Sequence, residues 1–203
     1  LISQIKSMAG KVPQGMEGIS SFSLPELTLP HFDGSGWMQT GWLKLDNSWY
    51  WLNGSGAMAT GWQKIGGSWY YFNGSGVMQT GWLKLSNSTY YLNGSGAMLT
   101  GWQLINGNWY YMNGSGAMLT GWQWIDNDWY YLYSNGVMKT GWLELGETKY
   151  YLDGSGAMRT GWFKVDSKWY YANGSGAMQT GWLKTGNTWY YLCLLYTSDA
   201  ADE

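Results

Sequence analysis

The sequence predicts an all-β protein, a solenoid of stacked β-hairpins built from 20-residue repeats. Two observations carry this prediction: a tripeptide at constant spacing, and two short aromatic segments that flank a turn in every repeat. Thr-Gly-Trp occurs eight times without insertion or deletion, and it places the first tryptophan of the repeats at Trp42, Trp62, Trp82, Trp102, Trp122, Trp142, Trp162 and Trp182. A strict period of this length indicates units that stack on their neighbours to bury a continuous core.

Each repeat has the pattern of a tight hairpin. In the repeat over residues 61–80, positions 62–65 and 68–72 are aromatic and β-rich, and two glycines lie between them. Other repeats place Asp-Asn, Asn-Gly or Gly-Asn at these two positions. Such pairs tolerate the positive φ angles of a two-residue type I′ turn. The Asn-Gly-Ser-Gly that follows has a constant length, so we expect a defined turn there too.

A two-residue turn also decides which side chains share a face of the hairpin. Lys64 then pairs with Trp69 and Trp62 pairs with Tyr71, and directly paired residues lie on the same face. This face therefore carries two tryptophans. The opposite face carries Ile65, Tyr70 and Phe72. We expect that second face to form the axial core, with the aliphatic position before the turn contributing Leu45, Ile65, Leu85 and Ile105.

Composition narrows the classes of function. Trp and Tyr number 17 each against 4 Phe, and their apolar rings with polar tips suit a half-exposed surface that faces a ligand. Charged residues make up 12% and the net charge is −2, so the chain has no basic footprint for nucleic acid. No apolar run reaches the length of a membrane span. We therefore predict neither a nucleic-acid partner nor a membrane span.

Catalytic and metal-binding residues are scarce. Cys193 is the only cysteine and His31 the only histidine, which excludes a Cys/His zinc site and a disulfide within these residues. Acidic residues are spread over repeat positions, with no isolated pair marked out for acid–base chemistry. We predict that this stretch of chain is not an enzyme and needs no metal or cofactor.

The pattern predicts an aromatic box on the two-tryptophan face. Trp62 and Trp69 lie on one hairpin face, and the next repeat brings Tyr91 from its equivalent face. Three aromatic faces without hydrogen-bonding groups at their centre suit a quaternary ammonium ion, which is cationic but has no N–H donors. A recurrent methionine can supply a polarisable fourth wall, and its copies are Met58, Met78, Met98, Met118, Met138, Met158 and Met178.

Residues 33–192 resemble a known family. The pattern Thr-Gly-Trp, a second Trp seven residues after the first, Tyr-Tyr, and then Gly-x-Met is similar to the choline-binding (cell-wall-binding) repeat of Gram-positive bacteria and their phages. The resemblance implies a β-solenoid that binds choline on teichoic acids and attaches surface proteins or lysins to the wall. It implies five boxes, namely Trp42/Trp49/Tyr71, Trp62/Trp69/Tyr91, Trp102/Trp109/Tyr131, Trp122/Trp129/Tyr151 and Trp162/Trp169/Tyr191.

The remaining repeats depart from the pattern. Thr89 replaces the second tryptophan after Trp82, and Lys149 replaces it after Trp142. We expect the first of these boxes to be weak and the second dead, because an ammonium in the wall repels a cationic ligand. The pair Trp182/Trp189 has no following hairpin in this sequence. The recurrent lysine of the tryptophan face, as at Lys44, either lies over its own tryptophan or points away, and the sequence leaves both open.

Other interpretations compete with choline binding. The aromatic residues could serve only as core, although two apolar faces exceed what one core needs. Similar aromatic repeats also bind glucans, usually with polar side chains beside the rings, and the boxes here have few. A third reading is the targeting domain of a cell-wall hydrolase whose catalytic domain lies outside this sequence. We predict that the protein lies outside the cell at the wall, as a bacterial or phage-encoded product.

The two ends lack the repeat. Residues 1–32, which begin with Leu rather than Met, are interpreted as a linker or the end of an upstream domain of a longer protein. Residues 33–192 form the repeat domain. Residues 193–203 resemble a translated sequencing adapter, and we expect them to have no function.

Overall fold

A computed structural model of the chain describes His31, Asp33 and residues 35–193. The interpretations of segments 1–32 and 193–203 fall outside these residues, apart from His31 and Cys193. The domain boundaries proposed above remain a prediction. By contacts the chain forms two compact units, Leu1–Gln79 and Thr80–Glu203, and each unit is described by itself.

All regular structure in the described residues is β. The first unit contains β1 (Gly41–Leu45), β2 (Ser48–Leu52), β3 (Gly61–Ile65) and β4 (Ser68–Phe72). The second contains β5 (Gly81–Leu85), β6 (Ser88–Leu92), β7 (Gly101–Ile105), β8 (Asn108–Met112), β9 (Gly121–Ile125), β10 (Asp128–Leu132), β11 (Gly141–Leu145), β12 (Thr148–Leu152), β13 (Gly161–Val165), β14 (Lys168–Ala172), β15 (Gly181–Thr185) and β16 (Thr188–Leu192). Consecutive strands pair antiparallel, which gives eight two-stranded hairpins at the 20-residue step. The predicted all-β hairpin architecture is confirmed. Over the same residues, no helix has the length and apolarity that crossing a membrane requires.

The predicted register and turn are confirmed. In β3–β4, Trp62 pairs with Tyr71 and Lys64 with Trp69. In five of the eight hairpins both turn residues have positive φ, as at Asp126 (49°) and Asn127 (71°) in β9–β10. This is the backbone of a type I′ turn, whose twist matches that of the strands it joins. Every hairpin therefore presents the same side-chain positions on the same face.

The connector after each hairpin is an ordered turn, as expected from its constant length. The Oδ1 of Asn113 accepts hydrogen bonds from the backbone N–H groups of Ser115 and Ala117, both at 3.0 Å. The backbone N–H of Gly116 donates to the carbonyl of Asn113 at 2.8 Å. These local bonds satisfy the loop backbone and hold the connector in one conformation.

Backbone bonds also join a connector to the hairpin one repeat before the hairpin that it follows. In the first unit, the N–H of Met78 donates to the carbonyl of Trp49 at 2.8 Å. In the second unit, the N–H of Met138 bonds to the carbonyl of Trp109 at the same distance. Because this bond recurs every 20 residues, successive hairpins of a unit take the same placement. This is the stacking that the strict period predicts.

In each unit a core column is formed by the last residue of the second strand of every hairpin except β15–β16. Its members are 0–3% exposed, and they are Leu52 and Phe72 in the first unit and Leu92, Met112, Leu132, Leu152 and Ala172 in the second. The hairpin with the small column residue Ala172 also contains Phe163 on the same face. Phe163 is 4% exposed, and the other repeats have Leu or Gln at its position. We expect this large side chain to offset the volume lost at the column.

The expected core position before the turn is only partly right. Ile105 is 7% exposed and is buried, but Leu45 is 40% exposed. Both positions lie on the core face of their hairpins, as the register requires. Burial along that face is more complete away from the turn: Leu52, at the open end of the same hairpin as Leu45, is 3% exposed, whereas Leu45 adjoins the turn. The core follows the open ends of the hairpins.

Replacing Gly156 by alanine is expected to destabilise the protein by about 1–3 kcal/mol. Gly156 has φ of +87°, and a Cβ built there would overlap the Sδ of Met138 from the preceding connector. Gly154 in the same turn has open space around its Cβ direction, so Gly154→Ala is the matched control. Thermal unfolding followed by circular dichroism checks the difference. Equal melting temperatures for the two variants would contradict this close packing of connectors.

Candidate functional site

The structure brings the two tryptophans of a hairpin together on its outer face. The ring centroids of Trp102 and Trp109 are 6.4 Å apart with planes at 88°, so the rings meet edge to face. The same arrangement, at 6.1–6.5 Å, recurs in Trp42–Trp49, Trp122–Trp129 and Trp182–Trp189. Two perpendicular rings form the corner of a box. Six second tryptophans remain 41–64% exposed, namely Trp49, Trp69, Trp109, Trp129, Trp169 and Trp189.

The following hairpin adds tyrosine rings, and the two tyrosines of its Tyr-Tyr pair have different roles. The first, Tyr130, contacts Trp102 of the preceding hairpin at 4.8 Å between centroids. The second, Tyr131, contacts Trp122 of its own hairpin at 5.2 Å. Corresponding contacts to the preceding tryptophan occur at 4.8–4.9 Å in Trp42–Tyr70, Trp82–Tyr110, Trp122–Tyr150, Trp142–Tyr170 and Trp162–Tyr190.

Sequence reasoning missed this role of the first tyrosine. It selected the second tyrosine (Tyr71, Tyr91, Tyr131, Tyr151 and Tyr191) as the third wall of each box. A ring on the far side of a ligand-sized gap does not touch the facing tryptophan, so a wall is not required to make direct ring contact. Near the last repeats, Trp162, Trp169 and Tyr191 line one groove of about 720 Å³ together with Tyr190. There the predicted three rings face a common space.

Backbone hydrogen bonds place a methionine beside five of the second-tryptophan positions. Besides the Met78–Trp49 and Met138–Trp109 bonds described above, they join Met118 to Thr89, Met158 to Trp129 and Met178 to Lys149, all at 2.8–2.9 Å. The methionine thus follows the second-tryptophan position by 29 residues. For the box of Trp162 and Trp169 that spacing leads to position 198, which is a serine and lies outside the described residues.

The structure does not place one predicted methionine beside a second-tryptophan position, and it does not place one predicted box. Met58 stands 29 residues after a position outside the described chain. The box of Trp62, Trp69 and Tyr91, with Met98, joins residues of the two units and stays a prediction from the sequence.

The sequence left open whether the recurrent lysine lies over its own tryptophan, and in two hairpins it does. The Nζ of Lys44 lies 5.6 Å from the ring centroid of Trp49, and that of Lys184 lies 5.7 Å from that of Trp189. Each lysine is paired across the strands with the tryptophan it covers. This is an internal cation–π contact at an exposed site.

The altered box of Trp142 has a charged wall. The Nζ of Lys149 forms an ion pair with the Oε1 of Glu144 at 2.7 Å, and both side chains are about half exposed. They line the same groove as Trp142, Tyr171 and Met178. This part of the groove combines aromatic faces with charged groups.

Carboxylates surround Tyr130, the ring that contacts Trp102. Partial burial, and after it the negative charges of Asp128, Asp126 and Asp153, raise the pKa of the Tyr130 hydroxyl. The same carboxylates create a negative potential beside the Trp102 box, which favours a cationic ligand. Within the described part of the chain, no group of three or more His, Cys, Asp or Glu side chains could hold a metal ion.

Comparison with known proteins agrees with this geometry. A sequence model described as a choline-binding repeat matches residues 59–100, 119–163 and 159–193, and one described as a cell wall binding repeat matches residues 40–58 and 100–118. Among solved structures, the chain is similar to CbpJ from Streptococcus pneumoniae TIGR4, with 44% identity and a TM-score of 0.74 over 76% of this chain and 57% of that one.

Two further solved structures are similar. Choline binding protein F from Streptococcus pneumoniae is 44% identical, with a TM-score of 0.74 over 77% of this chain and 57% of that chain. The modular autolysin LytC from Streptococcus pneumoniae is 32% identical, with a TM-score of 0.55 over 77% of this chain and 38% of its own. The chain thus spans little more than half the length of CbpJ and choline binding protein F. No curated protein sequence matches it.

Proposed function

Because the chain belongs to the choline-binding repeat family, we propose that its aromatic boxes bind choline and anchor the protein to choline-decorated teichoic acid of a bacterial cell wall. One observation carries the proposal: the core is already filled by the buried column, yet every hairpin but two exposes a second tryptophan on its outer face. Packing does not need those rings. An exposed corner of perpendicular rings suits a trimethylammonium group.

The expected affinity of one box is weak. Three rings at about 0.5–2 kcal/mol each give a few kcal/mol, which corresponds to dissociation constants near the millimolar range. Several boxes on one chain then hold a polymeric ligand through effective concentration. The function we propose for these residues is therefore multivalent, non-catalytic attachment at the outside of the cell, in a bacterial surface protein or a phage-encoded protein.

Calorimetric titration of the chain with choline tests the proposal. We expect about five weak sites on the basis of intact boxes, together with a rise in melting temperature in excess choline because the ligand binds only the folded chain. In the variant Lys149→Trp, which restores the missing ring between Trp142 and Tyr171, the site count should increase by one. Absence of heat and of any thermal shift at saturating choline would defeat the choline assignment.

Glucan binding is the second candidate, and the groove beside Trp142 favours it locally. Glu144, Lys149, Asp166 and Lys168 line that groove together with aromatic rings. Sugars stack on such rings while polar side chains bond their hydroxyls. Retention of the unmodified chain on a glucan column, lost in the variant Trp142→Ala but retained in excess choline, would support this candidate.

A role as the targeting part of a larger hydrolase is compatible with the same attachment function. LytC, a modular autolysin, is similar to this chain over 38% of its own length. We propose attachment as the function of residues 33–192, whichever domain accompanies them.

A further inference from the structure

One position on the two-tryptophan face, here called the box face, carries a charged side chain in some repeats and an apolar one in others. It is the residue paired across the strands with the second-tryptophan position, and in chain order it is Lys44, Lys64, Lys84, Leu104, Trp124, Glu144, Lys164 and Lys184. Leu104 pairs with Trp109, and Trp124 pairs with Trp129. Directly paired residues share a hairpin face, so this side chain forms the rim of its box. We call it the rim residue.

A lysine rim places a cation on a ring that the ligand needs. The Nζ of Lys44 lies over Trp49 at 5.6 Å from the ring centroid. A quaternary ammonium ion entering this box meets a tryptophan face that already has a cationic neighbour. Like charges at this distance repel, and the exposed lysine must move aside or share the ring. A lysine rim therefore weakens a box for any cationic ligand.

The rims of two boxes are apolar and exposed. Leu104 and Trp124 are each 57% exposed, although a leucine and a tryptophan at a surface gain nothing from water. The ring of Trp124 lies 5.5 Å from that of Trp129, with their planes tilted by 59°. Trp124 thus extends the aromatic surface of the box formed by Trp122 and Trp129. Leu104 gives the Trp102 box an aliphatic rim in the same place.

We propose that the rim residue sets the ligand preference of each box, so that the Trp102 and Trp122 boxes are sites for quaternary ammonium ligands that carry an apolar substituent. The inference rests on the proposed function, since it takes these boxes to bind a quaternary ammonium group. The trimethylammonium group occupies the box, and the apolar substituent lies on Leu104 or Trp124. Burial of one such substituent against a rim corresponds to about a tenfold gain in affinity.

Titration of the full chain with choline and with benzyltrimethylammonium tests the proposal. We expect choline to titrate weakly at all intact boxes, whereas benzyltrimethylammonium shows two sites about tenfold tighter than the rest. The double variant Leu104→Lys, Trp124→Lys should lose that tight class and keep its choline sites, each weakened a few-fold. The reciprocal variant Lys44→Leu should add a third tight site.

Lys84→Leu is the matched control, because Thr89 stands in place of the second tryptophan in that hairpin. It should add no tight site. All four rim residues lie at the surface, and far-UV circular dichroism checks that each variant is folded. If choline binds but benzyltrimethylammonium shows one affinity class, or if the double lysine variant keeps two classes, the rim proposal is overturned and the choline function stands. Failure of both ligands to bind overturns the proposed function itself.

Discussion

Replacing the second tryptophan of all five predicted boxes by alanine is expected to abolish retention of the protein on a trimethylammonium matrix. The variant combines Trp49→Ala, Trp69→Ala, Trp109→Ala, Trp129→Ala and Trp169→Ala. Each substitution removes one wall, worth about 0.5–2 kcal/mol, from a box whose total affinity is only a few kcal/mol. Because attachment depends on several weak sites acting together, weakening all of them removes it almost completely.

The fold should survive these changes better than the binding does. The second tryptophans of the described boxes are at least 41% exposed, and the core column contains none of them. Trp189→Ala is the control of the same type, since that tryptophan belongs to the hairpin without a successor in this sequence and its loss should leave retention unchanged. Elution in free choline measures retention. A folded five-fold variant that still binds the matrix would exclude these rings as the binding walls.

The hairpin itself was predictable from the sequence in detail, because its determinants are local. Two residues that accept positive φ specify a type I′ turn, and the turn then specifies every cross-strand pair. The pairing of Lys64 with Trp69 follows from this rule alone. The ordered connector follows from the Asn side chain that bonds the backbone two and four residues later, as at Asn113.

The relation between neighbouring hairpins was less predictable. Alternation along a strand assigns Tyr70 and Tyr71 to opposite faces, but it does not say which face of one hairpin meets the next. The structure places the ring of Tyr70 against Trp42 at 4.9 Å, whereas Tyr71 contacts Trp62 of its own hairpin at 5.2 Å. The same alternation assigns Leu45 and Leu52 to one face of their hairpin. It does not show that the core forms at the open end of the hairpin, away from the turn.

The sequence pattern also could not predict how exposed individual side chains are. Trp124 replaces a lysine in the repeat and could have been a packing variant, yet it is 57% exposed beside Trp129. The alignment of repeats could single out positions 104 and 124 as unusual. Only the structure shows that both side chains remain at the surface on the box face, where they can act on a ligand.

Leu132→Ala is expected to destabilise the protein by about 2–5 kcal/mol. Leu132 is 0% exposed in the core column, so its truncation loses the buried side chain and leaves a cavity. Its hairpin, β9–β10, has neighbours on both sides in the second unit, and each stacking interface is weakened. Thermal and urea unfolding measure the loss. The control Leu104→Ala makes the same chemical change at a 57% exposed site and should stay within about 0.5 kcal/mol of the unmodified chain.

The chain also suggests how the loss can be reversed. Alanine already occupies the column at Ala172, and Phe163 on the same hairpin face is 4% exposed and stacks on Tyr170 at 5.9 Å between centroids. Gln123 holds the position equivalent to Phe163 in the hairpin of Leu132. Adding Gln123→Phe to Leu132→Ala should therefore refill the core face and recover at least about 1 kcal/mol. A double variant no more stable than Leu132→Ala would show that the Phe163–Ala172 pair is not a volume exchange. A Leu132→Ala variant as stable as Leu104→Ala would contradict the column as the core of the stack.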